Sequence, residues 1–134
     1  LDTITEQRRS ANMARIRSRN TKPELAVRRA LFAKGVRYRI HKEDLPGKPD
    51  ISIRKYMLVV DVRGCFWHGH EGCKFSSRPK TNTGYWTAKI QGNIDRDSRN
   101  VNAWEVSGYT VFVIWECETR KILKLKKRIL KFLG

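Results

Sequence analysis

Long apolar runs are missing from this chain of 134 residues. No stretch approaches the roughly 20 consecutive apolar residues that a membrane-spanning helix needs. The N-terminal LDTITEQRRS has no apolar segment of the kind found in secretory signals, so we expect neither export nor a membrane partner. The length and a hydrophobic content of 40% still suffice for one domain with a modest core.

Acidic residues and cysteines are also scarce. Thirteen Asp and Glu face 29 Lys and Arg, which gives a net charge of +16. A charge this high on a small domain indicates a polyanionic partner, with a merely soluble or ribosome-associated basic protein as the alternative. The three cysteines are an odd number, which argues against a disulfide framework and for a reducing interior where thiolates can bind metal.

Helix and strand patterns alternate along the chain. The sequence TKPE at residues 21–24 combines an N-cap, an early proline and a glutamate at the third helical position, and it predicts a helix that stops at Gly35. We predict further helices at 3–16, 85–107 and 118–133, and strands at 36–41, 51–54, 57–62 and 109–115. The apolar run at 57–62 is typical of a strand covered on both faces. This order predicts an α/β domain in which helices flank a small mixed central sheet.

Two carboxylates flank the predicted hairpin. Asp50 follows Pro49 at the start of one strand, and Asp61 lies near the end of the next. Because paired strands place these ends side by side, both carboxylates can reach one Mg²⁺, which prefers oxygen ligands. The pattern is similar to the PD-(D/E)XK nuclease signature, with Arg63 where a lysine is expected. A common Pro-Asp turn and an ordinary strand-edge charge are the alternative.

Glu24 has two interpretations. It is a candidate third carboxylate at the metal, but its spacing from Thr21 also completes a helix capping box. The spacing alone favours the cap.

The loop after the 57–62 strand carries candidate metal ligands. Cys65, His70 and Cys73 lie within nine residues, and Cys117 follows the last predicted strand. These four residues predict a tetrahedral Cys3His zinc site, with a simple buried cysteine as the alternative at Cys117. His68 in the same loop is a candidate for proton transfer, because imidazole titrates near neutral pH.

Two large aromatic residues, Phe66 and Trp67, lie between the ligands of this loop. Aromatic side chains are mostly buried, so they are candidates for the core. In a strongly basic protein, exposed aromatic side chains also stack on bases or wedge between base steps. The pattern alone leaves both alternatives open.

Five motifs together resemble the very-short-patch repair (Vsr) endonucleases. They are TKPE (21–24), LPGKPD (45–50), GCFWH (64–68), YWxxKIxxNxxxD (85–97) and VIWEC (113–117), in the family's order over most of the chain. The resemblance implies one endonuclease domain over residues 1–134, with residues 1–20 contacting DNA and residues 21–134 as the catalytic core. It also implies a restriction-endonuclease-like fold, a variant of the PD-(D/E)XK core, with a structural zinc site.

Members of that family nick duplex DNA on the 5′ side of the T in T:G mismatches that arise from deamination of 5-methylcytosine. The resemblance therefore implies a Mg²⁺-dependent nickase that initiates very-short-patch repair. The implied partner is a mismatched duplex, with a MutL-type mismatch-repair protein and a DNA polymerase acting downstream. We expect a monomer in the bacterial cytosol, associated with the nucleoid.

The resemblance assigns roles to individual residues. Asp50 and the backbone carbonyl of Val62 would bind Mg²⁺, with Asp61 as an auxiliary ligand. His68 would act as general acid or base at the scissile phosphate, and Glu24 would orient water or His68. Zinc would be bound by four residues: Cys65, His70, Cys73 and Cys117.

DNA contacts follow from the same resemblance. The wedge inserted beside the mismatch would be Phe66, Trp67 and Trp86. Lys89 and Asn93 would read the T:G pair, and Met13 would lie in a segment that closes over the other groove.

The chain departs from the family at two positions. The family usually has Asp or His at Arg63, and an apolar residue at Asp61. Together they look more like the (D/E)-x-K arrangement than the family norm, and an alternative is a PD-(D/E)XK nuclease for branched or unmodified DNA that uses Asp61 and Arg63. A non-catalytic zinc-stabilised DNA-binding module is a further alternative.

Overall fold

A four-stranded mixed sheet forms the centre of the molecule, in a computed structural model that describes residues 20–133. The strands, in their order across the sheet, are β1 (Arg39–Ile40), β2 (Ile51–Ile53), β3 (Leu58–Arg63) and β4 (Thr110–Trp115). The helices are α1 (Lys22–Ala33), α2 (Thr83–Val106), α3 (Glu116–Thr119) and α4 (Ile122–Leu133). The predicted α/β architecture with a small mixed sheet is confirmed. The helix predicted at 3–16, which includes Met13, lies outside the described residues.

Helix α1 begins where the TKPE signal predicts. The Thr21 hydroxyl accepts a hydrogen bond from the backbone N–H of Glu24 at 3.4 Å, and a proline occupies the first turn, where no N–H partner is needed. The helix buries one apolar face against the sheet and α4. The core on this side of the sheet includes Val27, Leu31, Ile51, Val60, Leu125 and Ile129.

Strands β2 and β3 form an antiparallel hairpin around a short 3-10 turn, Arg54–Tyr56. Strand β3 lies between β2 and β4, and its side chains alternate between two apolar clusters. Val60 belongs to the cluster under α1, whereas Val59 packs with Trp104 of α2 on the opposite face. The prediction of a strand covered on both faces is therefore confirmed.

Strand β4 runs parallel to β3, and α2 makes the crossover between them. The register pairs Arg63 with Trp115, so both strands end at the same edge of the sheet. The chain that leaves β3 and the chain that leaves β4 therefore meet there. This topology brings Cys117 to the Cys65 loop from a separation of 52 residues.

Two elements differ from the prediction. The strand predicted at 36–41 is reduced to Arg39–Ile40. His41 takes a left-handed backbone conformation with a φ of 48°, which ends the strand at Ile40. The helix predicted at 118–133 starts earlier and is split into α3 and α4. The Thr119 hydroxyl donates to the Glu116 carbonyl at 2.7 Å, and this carbonyl is the one that a continuing helix would bond to the N–H of Arg120. None of the helices in residues 20–133 has both the length and the apolarity needed to cross a membrane.

Candidate active site

Asp50 lies at the mouth of a cavity of about 550 Å³ at the edge where β3 ends. The turn before it is fixed by the Trp104 indole, whose Nε1–H donates to the Pro46 carbonyl at 2.6 Å. One carboxylate oxygen of Asp50 accepts a hydrogen bond from the backbone N–H of Val62 at 2.9 Å. The structure thus brings the Asp50 carboxylate to the backbone of Val62, through the Val62 N–H; the role of the Val62 carbonyl as a Mg²⁺ ligand stays a prediction.

Five carboxylates line this cavity, those of Glu24, Asp50, Asp61, Asp97 and Glu116. Burial raises the pKa of Asp50 well above its usual value, and repulsion from Asp61 and Glu24 raises it further. The hydrogen bond from Val62 offsets only part of this effect. A divalent cation would relieve both the burial cost and the repulsion, so the oxygen donors of Asp50 and Glu24 fit a hard cation such as Mg²⁺.

The side chain of Glu24 faces the cavity although its backbone N–H is capped by Thr21. The residue is only 3% exposed. Its carboxylate does not return to the Thr21 N–H as in a full capping box. It accepts instead from the N–H of Asn20, from the Arg28 guanidinium and at 3.1 Å from the His41 imidazole. The helix cap and a role in the site are therefore compatible, because different atoms of Glu24 serve them.

His41 and Arg28 were not singled out by the sequence analysis. The ligand atoms of Glu24, His41 and Asp50 all lie within 4.8 Å of one another. Arg28 follows Glu24 by four residues on the same helix face, and this spacing was a usable signal. His41 gave no comparable signal, because it follows the short edge strand β1 and is 17 residues from Glu24 along the chain.

His68 lines the same cavity and is fixed by α2. Its Nδ1 lies 2.6 Å from the Asp97 carboxylate, so Nε2 is the ring nitrogen available to a substrate. Asp97 was part of the helix motif but received no role from the sequence. Arg63 lies beside it, with its Nε 2.9 Å from Asp61 and 3.8 Å from Asp97.

The predicted zinc ligands form one cluster. The ligand atoms of Cys65, His70, Cys73 and Cys117 all lie within 4.8 Å of one another. A tetrahedral ion with sulfur and nitrogen ligands at about 2.0–2.3 Å requires such spacing. Burial raises the pKa of the Cys65 thiol to about 12 in the absence of a cation, and it raises that of Cys117 as well. This donor set could hold zinc.

An aromatic cluster borders the cavity beside His68. Its members are Phe66, Trp67, Trp86 and Tyr85. Ring centroids lie 5.0 Å apart for Phe66 and Trp67 and 5.4 Å apart for Phe66 and Trp86, in edge-to-face geometry. Phe66, Trp67 and Trp86 are half-buried, and neither described core cluster includes them. Of the two alternatives for Phe66 and Trp67, this placement favours a surface cluster over core.

Helix α2 holds this cluster in place through Asn93. The side chain is 5% exposed, and its amide nitrogen donates to the backbone carbonyl of Trp67 at 2.8 Å. Lys89, one turn earlier on the same helix, is half-buried. The two residues predicted to read the mismatch therefore lie on the helix beneath the aromatic cluster.

Comparisons with known proteins agree with this site. Residues 1–74 match the family model described as DNA mismatch endonuclease Vsr. The chain is 44% identical to the type II nicking enzyme V.XorIIP of Xanthomonas oryzae pv. oryzae over 128 residues, covering 96% of this chain and 93% of that protein. It is 43% identical to the type II nicking enzyme V.NmeAIP of Neisseria meningitidis, covering 96% and 91% of the two chains. It is 36% identical to the DNA mismatch endonuclease Vsr of Escherichia coli K12, covering 92% and 79%. The chain belongs to the Vsr family of DNA mismatch endonucleases.

Proposed function

We propose that this endonuclease nicks one strand of duplex DNA on the 5′ side of the T in T:G mismatches left by deamination of 5-methylcytosine. The observation that carries the proposal is that one cavity is lined by Asp50, His68, Phe66 and Trp67. An aromatic side chain inserted beside a mismatch would leave the adjacent phosphate next to the carboxylate and the imidazole. The wobble pair costs less to unstack than a matched pair, so insertion selects for it.

The reaction is in-line attack of water on one phosphodiester. Asp50 and the Val62 carbonyl would hold Mg²⁺, which when bound supplies positive charge to the developing phosphate anion. His68, oriented through its Nδ1 by Asp97, presents Nε2 to donate or accept a proton at the scissile phosphate. Glu24, held by its own partners at the edge of the cavity, orients the attacking water.

The remaining assignments concern binding. Zinc at the Cys65 cluster would stiffen the loop that carries the aromatic residues and His68. Asn93 uses its amide nitrogen for that loop, so its side-chain oxygen is the atom that can accept from a base. Lys89 would contact the mismatched pair beside it. A net charge of +16 supports long-range attraction to the nucleoid DNA of the bacterial cytosol. The resulting nick is a start point for a DNA polymerase.

The proposal is tested with two end-labelled duplexes that differ only in carrying T:G or C:G at one position. Asp50→Asn should reduce Mg²⁺-dependent nicking of the T:G duplex roughly a thousandfold, since a bound cation contributes several kcal/mol to the transition state. Asp44→Asn is the matched control, because Asp44 is an exposed carboxylate paired with Lys42. Nicking that survives Asp50→Asn would contradict the assigned metal ligand.

The wedge requires a second pair of variants. Phe66→Ala combined with Trp67→Ala should remove the preference for T:G over C:G while zinc content is retained. Tyr56→Ala is the control, because Tyr56 is 42% exposed on the turn at the opposite end of β3. If the double variant keeps the preference for T:G over C:G, the two rings have a structural role and do not act as a wedge.

A further inference from the structure

Arg63 ends β3 between two carboxylates. Its Nε donates to Asp61, two residues earlier on the same face of the strand, at 2.9 Å. The same Nε lies 3.8 Å from an oxygen of Asp97 on α2. All three side chains are only 13–14% exposed, so these contacts are poorly screened by water.

The contacts continue to the imidazole of the active site. The Asp97 oxygen that lies near Arg63 is also the one that contacts His68 Nδ1 at 2.6 Å. The positive Arg63 therefore lies between two negative side chains, Asp61 and Asp97. Asp97 in turn orients His68. Without the guanidinium, the poorly solvated Asp61 carboxylate would lose its cationic partner, and Asp97 would be left with His68.

We propose that Arg63 is a positioning residue for His68, and that Asp61 is the counter-ion of Arg63 instead of a cation ligand. The inference rests on the proposed role of His68 at the scissile phosphate. In the described part of the chain, the cluster beside Asp50 that could hold a cation consists of two carboxylates and one imidazole, those of Glu24, Asp50 and His41. Asp61 is not a member of this cluster. The charge of Asp61 contributes to the raised pKa of Asp50 in that cluster.

The geometry also separates this role from that of the lysine in a (D/E)-x-K nuclease. Such a lysine must reach the phosphate, whereas the Arg63 side chain is 14% exposed and its Nε is directed to Asp61. Its guanidinium lies 5.7 Å from the centroid of the Trp115 ring, which covers it further. Arg63 therefore acts on the reaction through Asp97.

A mutant cycle tests the assignment on whichever duplex the wild type nicks. Arg63→Met should lower kcat about 10- to 100-fold at unchanged KM, because it misorients His68 without removing a DNA contact. Asp61→Asn should cost less and leave the Mg²⁺ concentration for half-maximal rate unchanged. Combining the two should be no worse than Arg63→Met alone. Arg63→Lys, which keeps the charge but loses the planar fork, should recover part of kcat.

Three results would overturn the inference. A higher Mg²⁺ requirement in Asp61→Asn would make Asp61 a cation ligand. Effects of Asp61→Asn and Arg63→Met that multiply would show that the two side chains act separately. A raised KM in Arg63→Met would assign Arg63 to DNA binding.

A second readout needs no DNA. Proton NMR should show the His68 Nδ1–H signal far downfield in the wild type, assigned by its absence in His68→Gln. Arg63→Met should lose the signal while still unfolding cooperatively, and Arg120→Met, which removes a half-exposed arginine from the same edge, should keep it. Persistence of the signal in Arg63→Met overturns the positioning role. If the NMR result holds but the wild type does not prefer T:G, the proposed function fails and the positioning role stands.

Discussion

Replacement of Gly69 by alanine should destabilise the loop that carries His68 and His70. Gly69 lies between His68 and His70 with a φ of 61°, and a Cβ built there would lie 3.0 Å from both Ile90 and Ile94 of α2. The left-handed backbone costs an L-residue about 1–2 kcal/mol, and the crowded contact adds about 1 kcal/mol or more. Alanine also reduces the conformational entropy of the unfolded chain, which offsets about 0.4–1 kcal/mol of this loss in stability. A net loss of roughly 2 kcal/mol corresponds to a decrease in Tm of about 7 °C for a domain of this length.

The matched control for this variant is Gly72→Ala. Gly72 belongs to the same loop and has a φ of 68°, but a Cβ there meets nothing within 4 Å. It should therefore lose only the backbone contribution, about 1 kcal/mol or less after the unfolded-state offset. Thermal unfolding of the zinc-loaded proteins measures both. Equal decreases in Tm would show that the stability of the loop does not depend on its packing against α2.

Three further predictions follow from single contacts. Trp104→Phe removes the hydrogen bond to the Pro46 carbonyl and should lower the free energy of unfolding by about 1–2 kcal/mol, measured by thermal unfolding. It should also slow nicking, since that turn carries Asp50. Unchanged nicking would show that the turn does not affect catalysis. Cys117→Ala should lower the zinc content measured by metal analysis, because three ligands remain; full zinc occupancy would exclude Cys117 as a ligand. His41→Leu removes a partner of Glu24 and should lower kcat about tenfold or more, as loss of an outer-shell partner typically does. A wild-type rate in His41→Leu would show that the Arg28 contact suffices.

Local signals in the sequence predicted the elements that depend on neighbouring residues. The Thr21 cap, the early proline and the apolar spacing of α1 all act within one helix. The hairpin placed Asp50 beside Val62 because antiparallel pairing fixes which strand ends meet. The parallel β3–β4 register then explains why Cys117 completes the cluster that starts at Cys65.

The residues that the sequence did not assign depend on contacts between distant elements. His41 meets Glu24 across 17 residues, and His68 meets Asp97 across 29. In the first contact, His41 has a left-handed backbone conformation at the end of β1. No spacing pattern in the sequence predicts that conformation. The Asp61–Arg63 pair lies within one strand, but the sequence leaves open whether Asp61 faces Arg63 or a cation. The position of α2, which brings Asp97 to Arg63, supports the first arrangement.

If one cavity joins mismatch recognition to metal-dependent cleavage, single-turnover nicking should show both together. Each strand of a T:G duplex and of its C:G counterpart is labelled in turn, and the rates are compared at saturating enzyme with Mg²⁺. We expect a nick in the T strand alone, on the 5′ side of the T, with little or no cutting of the C:G duplex. Equal rates on the two duplexes, or cutting of both strands, would contradict it.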